Sequence, residues 1–130
     1  MTVRRSRADH GSAVVDFVLV LVVLVPLFLG ILQLGLVLFV RNTLTAAASE
    51  GARYAATADR PVESGVAATR AQIREALAAR FARSVTAHAV SVHGASGVEV
   101  DVTADVPPLG LWGPAIRLHV SGHATEEQPP

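Results

Sequence analysis

The chain has 130 residues, with 11 basic and 11 acidic side chains, a net charge of zero and no cysteine. A balanced charge argues against nucleic-acid binding, which rests on neutralising phosphates. The missing cysteines remove disulfides and thiolate metal sites as staples. Beyond its apolar N-terminal stretch the chain has length for one small unit, whose limited buried surface calls on partners or on the membrane segment for stability.

The first predicted element is a helix. Arg4, Arg5 and Arg7 form a basic leader over residues 1–11, and the run from Phe17 to Val40 holds no charged side chain before Arg41. An apolar run of that length matches the thickness of a bilayer in helical rise and predicts a membrane-spanning helix. Hydrocarbon offers the backbone no hydrogen bonds, so a lone segment satisfies its own groups only as a helix. Pro26 lies inside the run, where it removes one hydrogen bond and predicts a kink. The leader arginines, offset only by Asp9, outweigh Arg41, Arg53 and Arg60, which are mixed with Glu50 and Asp59. That bias places the N-terminus in the cytoplasm and the larger C-terminal domain outside, as a single-pass protein of the cell membrane.

The helix is expected to run from residue 12 to about 58, because strong helix formers continue past the membrane and no proline intervenes before Pro61. Ala47, Ala48, Gly51, Ala55 and Ala58 give this extension a small-residue face that permits close approach by another helix, or else a merely solvated alanine-rich surface. The stretch from Asp59 to Gly65 reads as a loop punctuated by Pro61 and Gly65. Residues 66 to 83 predict an amphipathic helix with Val66, Ile73, Leu77 and Phe81 on one face, packed on a sheet rather than on lipid. Val98, Val100, Val102 and Val106 then alternate with Glu99, Asp101, Thr103 and Asp105, and Ile116, Leu118 and Val120 alternate with Arg117, His119 and Ser121. A weaker strand over residues 85 to 93 joins the first of these through Gly94–Gly97. The prolines from Pro107 to Pro114 require a loop, since they cannot donate to a ladder. The expectation is an α+β fold: a long N-terminal transmembrane helix, a second amphipathic helix and a small three-stranded antiparallel sheet. The small extracytoplasmic domain covers residues 59–123, and 124–130 form a frayed tail.

Candidate chemistry is sparse. His119 and His123 share strand parity, but no carboxylate or cysteine joins the histidines at a familiar ligand spacing, so no metal or cofactor is assigned. Glu99, Asp101 and Asp105 read as a solvated acidic face. Motifs for nucleophilic, metal-dependent or phosphate chemistry are missing, which points away from an enzyme and from a small-molecule substrate.

The N-terminal features are more specific. A secretory signal has an apolar core of about 7–15 residues, far shorter than this run. Gly11 stands between the basic leader and the apolar helix, and Asp16 is the fifth residue after it. An acid at the rim of a membrane segment demands a partner. An amino terminus newly exposed at Ser12, on a neighbouring subunit, supplies one. The arrangement resembles type IV pilins and pseudopilins, whose leader is cut after glycine by a prepilin peptidase. Within that group it is most similar to TadE-like proteins, pseudopilin-type components of the tight-adherence pilus system. The likeness rests on Gly11–Phe17 (GSAVVDF), on the apolar helix with Pro26 and Gly30-Ile-Leu-Gln-Leu-Gly35, and on the segment from Phe39 to Tyr54; beyond, the strand pair is similar more weakly. Two positions depart from the family pattern. Asp16 replaces a glutamate, and Gln33 replaces an acid, turning an ionic role there into a hydrogen-bonding one.

The resemblance implies a pilin-like fold and cleavage between Gly11 and Ser12. It also implies assembly through Asp16 and Phe17 in the bilayer, with other pilin-like subunits and pilus assembly proteins as partners. The alternative is a single-pass anchored extracytoplasmic binding module that never enters a filament.

Overall fold

The computed structural model describes residues 8–57, 60–110 and 113–126. The leader arginines, Ala58 and Asp59, Leu111 and Trp112, and the last four residues of the tail lie outside the described residues.

One helix dominates. Helix α1 spans Ala8–Ala55, 48 residues, or about 72 Å at the usual rise. It runs unbroken through Pro26. It ends at Ala55, short of the expected 58, with Ala56 closing the last turn through its N–H to the Ala52 carbonyl at 2.9 Å. Pro61 disfavours helical geometry at the residue before it, so the chain leaves the helix and turns back. Arg60 then stacks over the Tyr54 ring, 3.8 Å from its centroid.

Helix α2 spans Glu63–Ala76, starting before residue 66 and stopping well before 83. Gly65, expected to break a loop, is inside this helix, and its buried face is Gly65, Thr69 and Ile73. Leu77 is extended (φ −134°, ψ 179°), and a separate 3-10 turn over Ala79–Ala82 buries Phe81 and Ala82. The predicted continuous stripe through Leu77 and Phe81 is thus split. Turning the chain at Leu77 lets Phe81 reach the core, and that burial outweighs the good helix propensity of the alanine-rich stretch.

The sheet is antiparallel in the order β1-β2-β3, with β1 Ser84–Val92, β2 Ala95–Val106 and β3 Ile116–Thr125. Val92 pairs with Ala95 across a two-residue turn in which His93 (φ 52°) and Gly94 (φ 85°) are both left-handed. That is the hairpin geometry whose twist matches the strands. It also makes the connection shorter than Gly94–Gly97, because Ala95, Ser96 and Gly97 already belong to β2. At the other end Val106 pairs with Ile116. Ala124 and Thr125, expected in the tail, complete β3, and Glu126 donates its N–H to the Ser96 carbonyl at 2.8 Å.

The alternation of β2 sets the layers. Val98, Val100, Val102, Ala104 and Val106 are buried on one face, joined by Leu118 and Val120 of β3. This face packs on the C-terminal half of α1, where Val40, Leu44, Ala47, Ala48, Ala52 and Ala55 form a buried stripe at helical spacing. Two close approaches seat the layers. A Cβ at Gly122 of β3 would fall 2.5 Å from the Ala48 carbonyl carbon, so this strand lies directly on the helix backbone. A Cβ at Gly51 would fall 2.8 Å from the Gly65 carbonyl oxygen, marking where α2 crosses α1. Buried Thr69 donates its hydroxyl to the Ala47 carbonyl at 3.3 Å across that crossing. The small-residue face of α1 is therefore used inside the chain, and α2 packs on α1 as well as on the sheet.

Candidate functional site

The two halves of α1 differ in their surroundings. From Gly11 to Leu32 the side chains are exposed, apart from the half-buried Leu21 and Leu29. Phe17, Val23 and Phe28 are 63%, 68% and 59% exposed. This is the one described helix long and apolar enough to cross a membrane. Its large side chains point in all directions and no described residue covers them, which suits a membrane anchor.

The residues expected to process and assemble the protein, Gly11, Ser12, Asp16 and Phe17, all lie on this bare stretch, as does Pro26. The space around Gly11 is open. Ser12 and Asp16 are four residues apart and so share a helix face. Asp16 is exposed and makes no salt bridge to a described residue. The fold brings none of these residues to the sheet domain.

Gln33 marks the change between the halves. It is the lone polar side chain between Phe17 and Val40. Its amide Nε2 donates to the Pro107 carbonyl at 3.2 Å, and its Oε1 accepts the Leu109 N–H at 2.7 Å. Both ends of one amide thus hold the β2–β3 loop against α1. An amide suits this geometry, because a carboxylate would have no donor for the Pro107 carbonyl. From Gln33 onward Leu36, Val37 and Val40 turn toward the core. Sequence reading had the clue, a single amide in an apolar run, but not its partner more than seventy residues away.

The outer face of the sheet is mixed rather than acidic. His88 Nδ1 and His119 Nε2 approach opposite oxygens of Asp101 at 3.4 and 3.5 Å, and His88 Nε2 lies 3.7 Å from Glu99. His119 Nδ1 lies 3.1 Å from the Thr103 hydroxyl, and Arg117 donates to its cross-strand partner Asp105 at 3.1 Å. Among the described residues no group of three or more histidines, cysteines or acids is placed to hold a metal ion.

An apolar helix bare at one end, continuous with a core helix at the other and capped by an α+β domain, is the architecture of a helix-anchored membrane protein. The model of the family described as TadE-like protein matches residues 11–53, about a third of the chain, so the similarity is confined to α1. The match covers the bare half of α1 and nearly all of its packed half, the part in which the likeness is most specific. It associates the chain in general with the machinery of the tight-adherence pilus. No curated protein and no solved structure matches the chain.

Proposed function

We propose that the protein is a pseudopilin-type structural subunit of a tight-adherence pilus assembly machine. It is anchored by α1 with its N-terminus in the cytoplasm and its α+β domain outside, and it has no catalytic role. A prepilin peptidase cuts between Gly11 and Ser12. Asp16 then pairs with the new amino terminus of a neighbouring subunit, and Phe17 and the residues after it pack among other pilin-like helices in the bilayer. The observation that carries this reading is the position of Asp16: an exposed acid at the mouth of a bare apolar helix, four residues from Ser12 on the same face. A charge there is costly in the membrane unless a partner compensates it, and the described part of this chain supplies none.

Two measurements test the proposal. Mass spectrometry of the membrane-extracted protein is expected to find an N-terminus at Ser12; an intact leader ends the processing claim. Asp16→Ala is expected to abolish pilus assembly while membrane insertion stays normal. The competing reading, an anchored binding module outside any filament, is favoured by the internal use of the small-residue face of α1, which leaves less helix surface for other subunits. Normal pili in the Asp16→Ala strain would decide for it.

A further inference from the structure

The β2–β3 loop is attached to α1 at a depth where the bilayer should still be present. From Asp16 to Gln33 the helix rises about 26 Å, against a hydrocarbon core about 30 Å thick. With the charged residue Asp16 at the inner rim, Gln33 reaches the outer rim of the hydrocarbon. The Pro107–Leu109 segment is held there by the two hydrogen bonds of the Gln33 amide.

The chemistry of the loop suits that depth. Residues 107–115, PPLGLWGPA, carry no charge, while Arg117 and Asp105 pair just inside the strands. Backbone without regular pairing is tolerated near hydrocarbon only when its polar groups find partners. Pro107, Pro108 and Pro114 have no N–H to satisfy. The Pro107 carbonyl and the Leu109 N–H are satisfied by Gln33. Leu109 is 48% exposed and Ile116 40% exposed, so the end of the sheet that Gln33 holds presents apolar side chains largely uncovered by the described residues. The β1–β2 turn, at the opposite end of the sheet, exposes His93 instead.

We infer that the β2–β3 loop is a second membrane contact: Leu109 and Ile116 rest in the outer interface of the lipid bilayer, and the Gln33 amide fixes the loop at that level. The occupant of this surface is lipid, continuous with the lipid around α1. The inference rests on the reading of α1 as a membrane helix.

The natural absence of cysteine allows a direct test with the full chain. Single-cysteine variants Leu109→Cys, Ile116→Cys, His93→Cys and Val23→Cys, each carrying an environment-sensitive fluorophore, are placed in phosphatidylcholine vesicles with nitroxide-labelled lipids. The Leu109 and Ile116 probes are expected to be quenched several-fold more than the His93 probe, most strongly by nitroxides near the headgroup. The Val23 probe is expected to respond most to deep nitroxides. Quenching at Val23 with none above the His93 level at Leu109 and Ile116 overturns the loop contact and leaves the anchor standing. No quenching at Val23 removes both. Adding Gln33→Ala to Leu109→Cys is expected to weaken shallow quenching; unchanged quenching overturns the role of the clamp.

Discussion

Residues 11–32 and 33–55 are two stretches of one helix, both rich in apolar side chains, and they end in opposite environments. The first has large side chains, Val, Leu and Phe, on every side, and it stays bare. The second narrows its apolar content to a stripe in which Leu44 is followed by Ala47, Ala48, Gly51, Ala52 and Ala55, and this stripe is buried. What distinguishes a lipid-facing from a protein-facing helix here is the size and azimuthal spread of the apolar residues rather than their number. Small residues allow the backbones of α2 and β3 to come within contact, and large ones all around would hold them off.

Substitutions should therefore act unequally along the helix. The largest effect is expected from Leu44→Ala, which empties a fully buried site and should destabilise the domain by about 2–5 kcal/mol, read from denaturant unfolding of the detergent-solubilised protein. Next comes Gly122→Ala. Its new methyl meets the α1 backbone, which cannot yield as a side-chain end does, so a loss of about 1–3 kcal/mol is expected in the same assay. Thr69→Val keeps the shape but deletes the hydrogen bond to Ala47, for a loss of about 1 kcal/mol. Asp105→Ala breaks an ion pair that is more than half exposed on both sides, and about 0.5 kcal/mol or less should follow. Leu24→Ala, in the bare half, should leave domain unfolding unchanged. A clear loss there would mean that the two halves are not energetically separate, which is the comparison these variants are built to break.

Much of this was legible in advance, because the strongest signals are local. An uncharged run from Phe17 to Val40 marks a helix long and apolar enough to cross a membrane, and the valine alternation of β2 assigns its buried face residue by residue. The lost details are those decided by tertiary contact. Gly65 looks like punctuation until Gly51 is set against it, since a glycine tolerated in a helix for close packing is indistinguishable by type from one that ends it. Leu77 has good helical propensity, and it is the burial of Phe81 that pulls it into an extended conformation. Of the candidate site, Asp16 stands out because a charge beside hydrocarbon is conspicuous in any context, whereas Gly11 stands out only through the resemblance that it carries. Gln33 was noticed only as a substitution, since its partners are the Pro107 carbonyl and the Leu109 N–H, groups that every sequence carries and none displays.

The passage of α1 through Pro26 without interruption has a consequence for rotation. Domain and anchor share one axis, and Gly122 against Ala48, together with the Gln33 clamp, fixes the sheet at one azimuth on that axis. Each residue of an α-helix advances about 100°. One residue inserted between Pro26 and Leu32 would leave both halves chemically intact, yet swing the sheet domain by roughly that angle relative to Asp16. The helix is thus a phase reference: whatever holds its bare half also determines which way the sheet faces.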